Sequence, residues 1–131
     1  MAYKLVLLID DNEVDNYVHR QLIESSGMAE QVVDVTSAEE AIQFIKASIA
    51  QHQPLPDLIF LDKLMPGQDG FDFLKSLEAL NPSVKLPVVM LSAAISHNEK
   101  DKVRDYPFVF CFFSKPLSRD MLEQLRYFPN L

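Results

Sequence analysis

Three things are scarce in this chain. It has a single cysteine, Cys111, so no disulfide can close within it, and the place of that thiol inside an apolar run points to a buried small hydrophobe in a reducing compartment. It has no block of lysines or arginines. With 12 basic against 19 acidic residues and a net charge of −7, it cannot neutralise a row of phosphates, which argues against direct nucleic-acid binding. It also has no apolar stretch near the roughly 18 to 20 residues that span a bilayer, and the run after Met1-Ala2-Tyr3-Lys4 is too short for a signal-peptide core. Membrane insertion is not expected, and a soluble cytoplasmic protein is. Internal repeats, low-complexity tracts and an interdomain linker are absent as well, and 131 residues at 48% hydrophobic composition suit one ordinary domain. The expectation is a single domain over 1–131 with no output domain, because the last helix runs nearly to Leu131.

What is present is an alternation of apolar runs and helical periodicities. Leu5 to Ile9 has no polar alternation, which fits a strand covered on both faces. Val14, Val18, Leu22 and Ile23 then recur at helical spacing up to Gly27, a C-terminal cap. Gln31 to Val35 reads as a second strand, and Ser37 to Glu40 as a capping box opening a helix with Ala41, Ile42, Ile45 and Ile49 inward. Leu58 to Leu61 is the third strand. After a Met65-Pro66-Gly67 turn comes a helix with Phe71, Leu74, Leu77 and Leu80 on one face, ending before Pro82. Leu86 to Leu91 and Phe108 to Phe113 are the fourth and fifth strands, separated by a short polar helix over Asn98 to Arg104. Ser118 caps a last helix carrying Met121, Leu122, Leu125 and Phe128. Five strand–helix alternations predict a doubly wound α/β fold, flavodoxin-like: a five-stranded parallel sheet of order 2-1-3-4-5 with five helices.

A polar site follows each of four apolar runs. Asp10 and Asp11 follow the first, Asp62 the third, Ser92 closes the fourth, and Lys115 follows the fifth. Open parallel sheets bind ligands beyond the carboxyl ends of their strands, near the point where strand order reverses. Three carboxylates would meet there, and two unit charges 4 Å apart repel by about 4 kcal/mol at an effective dielectric near 20. A cation must offset that. Hard oxygen ligands suit Mg²⁺, and the Lys115 ammonium suits whichever carboxylate the metal leaves less neutralised. A carboxylate attacks phosphorus only when its repulsion with the phosphoryl oxygens is removed, so the set points to phosphoryl transfer.

Asp10-Asp11, then Asp62 through Gly70, then Ser92-Ala93, then Lys115-Pro116 together resemble the receiver domain of two-component response regulators, of the stand-alone chemotaxis-regulator-like type. The resemblance covers essentially the whole chain. It implies Asp62 as phosphoacceptor, and Mg²⁺ held by Asp11, Asp62 and the backbone carbonyl of Leu64, with Asp10 reaching it mainly through water. It further implies Ser92 and Lys115 as ligands of the phosphoryl oxygens, a cis peptide bond before Pro116, and Phe112 as the aromatic switch partnering Ser92. The donor would be a sensor histidine kinase or a histidine phosphotransfer protein. Output would pass to an unknown downstream protein through the face made by the fourth helix, fifth strand and fifth helix, and a homodimer formed on phosphorylation stays open.

The chain departs from the family pattern in places. Asp105-Tyr106-Pro107 stands where the family has a Gly-Ala pair, and Gln51 to Pro56 reads as a surface extension away from the site. Leu64 and Ala94 stand where the family tunes access of hydrolytic water, and neither can orient a water, so slow autodephosphorylation is expected. The chain is read as no turnover enzyme: Leu64 occupies the position where an aspartyl-phosphate hydrolase places its general acid. The alternatives are a receiver-like binding module that works without phosphorylation, and a receiver fragment of a larger regulator or hybrid kinase. His19, His52 and His97 have no metal spacing and read as surface residues.

Overall fold

Strands rich in Val, Leu and Ile with no polar face can be accommodated only between two layers, and the sheet is built on that constraint. The computed structural model describes residues 2–65, 68–80, 86–92 and 101–126. Its main sheet has five parallel strands: β1 (Tyr3–Ile9), β2 (Ala29–Val35), β3 (Leu58–Asp62), β4 (Val88–Ser92) and β5 (Val109–Ser114). They lie in the order β2-β1-β3-β4-β5, as expected. Every residue of β3 and β4 is buried.

Register brings the strand ends level. Ile9 pairs with Leu61, Asp62 with Leu91, and Ser92 with Ser114, so Asp10, Asp62, Ser92 and Lys115 all fall within a residue of one line across the sheet. A register shift after Val88 sets Val89 opposite Cys111 and leaves Phe110 as the extra residue. Beyond β3, Leu64–Met65 and Gln68–Asp69 form a two-residue antiparallel ladder, while Pro66 and Gly67 of the expected turn lie outside the described residues.

Helices cover both faces. The helix α1 (Glu13–Ser26) opens on Asn12, whose side-chain oxygen accepts from Val14 N at 2.9 Å and Asp15 N at 3.0 Å. It closes on Gly27 at φ 73°, where a side chain would be strained. Its buried face is Asn16, His19 and Ile23, with Leu22 packed alongside, which corrects the first half of the expected face: Val14 and Val18 point to solvent, as does Tyr17. The helix α2 (Ala38–Ala50) is capped by Ser37 Oγ, 3.0 Å from Glu40 N. The Glu40 carboxylate accepts from the Thr36 hydroxyl at 2.9 Å instead of closing the expected box. Ala41 and Ile45 point inward, but Ile49 is exposed.

Gly70–Leu80 forms α3, whose deepest side chain is Phe73, beside Leu74 and Leu77. The described part of α4 is residues 101–103; Asn98 to Lys100 of the expected helix lie outside the described residues. Arg119–Leu125 forms α5, capped by Ser118, with Leu122 and Leu125 buried and Phe128 outside the described residues. Two apolar layers result. Leu7, Ile9, Ile59, Leu61 and Met90 pack with α2 and α3, whereas Val6, Leu8, Phe60, Val89 and Leu91 pack with α1 and α5. Of the expected surface extension Gln51 to Pro56, Gln51 to Pro54 lies exposed at the amino end of β3, opposite the site, but Leu55 packs against the core and Pro56 is buried.

Candidate phosphoryl and metal site

Parallel strands with level ends turn four separate sequence positions into one polar edge. Asp10 and Asp62 are buried there beside each other, with Asp11 exposed at the start of the loop that leads into α1. One oxygen from each of the three carboxylates lies within 4.8 Å of the others. The Lys115 ammonium reaches across from the end of β5, with Nζ 2.6 Å from Asp10 Oδ2 and 3.2 Å from Asp62 Oδ2. Ser92 is buried at the end of β4, and its carbonyl accepts from Lys115 N at 3.3 Å. The Lys115–Pro116 peptide is cis.

The electrostatics explain why the lysine stays charged. Burial alone would push the Lys115 ammonium toward neutrality. Its hydrogen bond to Asp10 and the fields of Asp10 and Asp62, with a further bond to Asp15, outweigh that and raise its pKa above a free lysine's. Asp10 is doubly engaged: Oδ1 accepts from Asn12 N at 2.9 Å while Oδ2 holds the ammonium. Asp11 and Asp62 are therefore the carboxylates better placed to serve a cation directly. An all-oxygen donor set of this kind fits a hard divalent ion and not a soft one.

Two residues enter this environment that spacing alone does not reveal. Asp15, half-exposed on the first turn of α1, places Oδ2 3.2 Å from Lys115 Nζ, so four carboxylates surround or adjoin one ammonium. His19 is 3% exposed and accepts the Leu117 N–H on Nε2 at 3.3 Å, which corrects its reading as a surface residue. His52 is exposed, as read, and His97 lies outside the described residues. Asp15, Asn16 and His19 share one side of α1 at spacings of one, three and four residues, but hydrophobic spacing carries no signal for a polar inward face.

Phe112 is half-buried against the α2–α3 layer, opposite Met90 on β4. Gly70 seals the near side of the loop after β3. Its N–H donates to Lys63 O at 2.8 Å, and a Cβ there would meet Asp62 O and Lys63 Cα at 3.2 Å each. Leu64 lies in the short ladder opposite Asp69, and Ala93 and Ala94 lie outside the described residues.

Comparison with known proteins agrees with this geometry. Residues 6–126 match the family described as the response regulator receiver domain. The chain belongs to that family. This receiver domain is 32% identical over 125 residues to "Two-component response regulator ORR1" of Oryza sativa subsp. japonica, covering 92% of the chain and 53% of that protein. It thus spans about half the length of that relative. It is 30% identical over 115 residues to "Response regulator Rcp1" of Synechocystis, covering 86% of the chain and 76% of the relative. Among solved structures it superposes on a two-component response regulator from Cytophaga hutchinsonii with a TM-score of 0.86 at 27% identity, covering 98% and 97% of the two chains. Vibrio cholerae CheY4, at a TM-score of 0.78 and 20% identity over 93% and 94%, shares the fold. The described residues include no helix long and apolar enough to cross a membrane.

Proposed function

We propose that the chain is a response regulator receiver domain that accepts a phosphoryl group on Asp62 from a phosphohistidine of a sensor kinase or phosphotransfer protein, in the cytoplasm and with Mg²⁺. The observation that carries the reading is the Lys115 ammonium held between two buried carboxylates, Asp10 at 2.6 Å and Asp62 at 3.2 Å, on the same strand-end line as Ser92. Asp11, Asp62 and the Leu64 carbonyl would hold the ion, with Asp10 reaching it mainly through water. A bound Mg²⁺ supplies charge neutralisation between the carboxylate and the incoming phosphoryl oxygens.

The chain's own groups do the rest. An Asp62 oxygen attacks phosphorus as the phosphorus–nitrogen bond to the donor imidazole breaks, and the imidazole leaves with the electron pair. Asp62 thereby loses its own charge and gains a phosphoryl group carrying about −1.5 to −2. Lys115 then exchanges its Asp62 contact for a phosphoryl oxygen, and Ser92 donates to another. Ser92 ends β4, and Phe112 lies on the neighbouring β5 opposite Met90, two residues earlier in the register, so this exchange would pass to the α4–β5–α5 face, where a downstream protein docks. With Leu64 unable to orient a hydrolytic water, the acyl phosphate would be long-lived.

Intact mass after incubation with acetyl phosphate tests this directly. An adduct of about 80 Da that requires both Mg²⁺ and Asp62, and is absent in Asp62→Asn, is expected. Labelling retained in a folded Asp62→Asn protein would remove Asp62 from the role. Mg²⁺ binding with no adduct from either a small donor or any histidine donor would favour a binding module that keeps the fold without the chemistry.

A further inference from the structure

The inward face of α1 carries three polar side chains in place of the apolar ones expected there. Each reaches a different part of the strand-end site. Asp15 takes the Lys115 ammonium, Asn16 Nδ2 donates to the carbonyls of Asp10 at 2.9 Å and Val35 at 3.1 Å, and His19 Nε2 accepts the Leu117 N–H at 3.3 Å. A turn later Ile23 fills the same face with an ordinary aliphatic side chain. Buried polar groups are costly unless they are bonded, so a histidine at this position needs a specific partner to be tolerated.

We propose that His19 is a positioning residue for Lys115, acting through the main chain of the β5–α5 connection. Its consequence for phosphoryl transfer rests on the reading of Asp62 as phosphoacceptor; the contact itself does not. The connection is tied at two points, Lys115 N–H to Ser92 O and Leu117 N–H to His19. Between them stands Pro116, which has no N–H, so Leu117 offers the first amide after Lys115 that can anchor the segment. Accepting on Nε2 requires the neutral ring with its hydrogen on Nδ1.

With both ends anchored, the Lys115 Cα is fixed, and its ammonium meets Asp10, Asp15 and Asp62 without a search of the backbone. Passing from the Asp62 carboxylate to a phosphoryl oxygen then needs only side-chain rotation, which is the kind of preorganisation that raises a rate without tightening donor binding. Without the His19 anchor, the Leu117 amide loses its acceptor and the segment carrying the lysine is released on one side.

Phosphorylation of the full chain by acetyl phosphate at saturating Mg²⁺, followed by intact mass against donor concentration, separates the outcomes. Wild type, His19→Leu and His19→Gln are compared, because leucine fills the volume without an acceptor and glutamine keeps one near the place of Nε2. The limiting rate in His19→Leu is expected to fall about tenfold with little change in half-saturating donor, and His19→Gln to recover most of it. Equal rates in all three folded proteins overturn the proposal, and so do equal losses in both variants. Should His19→Leu fail to fold, His19→Asn, whose acceptor falls short of Leu117, takes its place; Asn as fast as Gln overturns the proposal and Asn slow with Gln fast supports it. A second readout needs no phosphoryl transfer. The ¹⁵N signal of the Lys115 ammonium, protected from exchange by its carboxylates, is expected in wild type and His19→Gln and lost in His19→Leu or His19→Asn. No adduct on any protein, from acetyl phosphate or from a histidine donor, would refute the phosphoacceptor reading alone. The ammonium signal would still decide His19, because its persistence without the acceptor overturns the positioning role.

Discussion

Replacing Lys115 with methionine keeps most of the length of the side chain and removes a cation that contacts Asp10, Asp15 and Asp62. Asp10 and Asp62 side chains are 3% and 9% exposed, so neither can recover its lost partner from bulk water. Breaking a buried pair by deleting one partner costs about 3–5 kcal/mol. Because Lys115 is itself 21% exposed and Asp15 40%, the lower end applies, about 3 kcal/mol. For a domain of this size that is a fall of roughly 10 °C in melting temperature. Thermal unfolding followed by circular dichroism, with divalent ions chelated, measures it. Adding Mg²⁺ should then stabilise Lys115→Met more than the wild type, since the ion meets carboxylates no ammonium has already satisfied and binds only the folded chain. A loss under about 1 kcal/mol, or equal Mg²⁺ increments in the two proteins, would refute the view that one lysine offsets this cluster.

Burial holds the His19 imidazole below its usual range, against the opposing fields of Asp15 and Asp10, so the folded chain prefers the neutral ring. The unfolded chain binds that proton near pH 6.5, so the His19 contribution is complete above about 6.5 and is lost as pH falls through the lower folded value. Denaturant unfolding at pH 7.5 and 5.5 should show a steeper acid loss for wild type than for His19→Gln, and parallel losses would contradict it. Gly70→Ala presses a methyl group on the Asp62 and Lys63 backbone at 3.2 Å, and on the Met90 tip at 3.0 Å, which can give way. Overpacking of about 1–3 kcal/mol and a slower phosphorylation of Asp62 are expected; a variant as stable and as fast as wild type would mean the loop has slack. Asp15→Asn should change stability by under about 1 kcal/mol, as for any half-exposed pair, yet speed labelling by anionic acetyl phosphate by thinning the negative charge at the site. A slower reaction would assign Asp15 a supporting role instead.

The strand-end line was legible because its two causes are both sequence properties. Uninterrupted apolar runs locate the strands, and the polar residues within two positions after each run mark its end, so Asp10, Asp62, Ser92 and Lys115 could be read as neighbours. Strand limits moved by one or two residues, as at β4, where Leu86 is buried ahead of the ladder and not within it. The interior of α1 was misread for a definite reason. Hydrophobic spacing identifies an inward face only where that face is apolar, and here Asn16 and His19 occupy it because strand-end carbonyls and the Leu117 amide supply their hydrogen bonds. Val14, Tyr17 and Val18 are left 69%, 66% and 49% exposed, and no pattern within the helix distinguishes that arrangement from the ordinary one. Likewise Glu40 fits a capping box on paper, but Thr36 lies within reach and takes its carboxylate.

The alternation along β5 has a mechanical consequence. Phe112 packs into the α2–α3 layer while its chain neighbours Cys111 and Phe113 pack into the α1–α5 layer. The strand therefore works as a shared wall, with a separate tenant on each side and the lysine at its corner. Any twist or slide of that wall is felt in both rooms together, so a displacement begun at the corner cannot be absorbed by one layer and hidden from the other. Cys111 gives a way to listen on one side only: burial lifts its thiol to about 11, leaving it nearly inert at neutral pH until the α1–α5 layer parts.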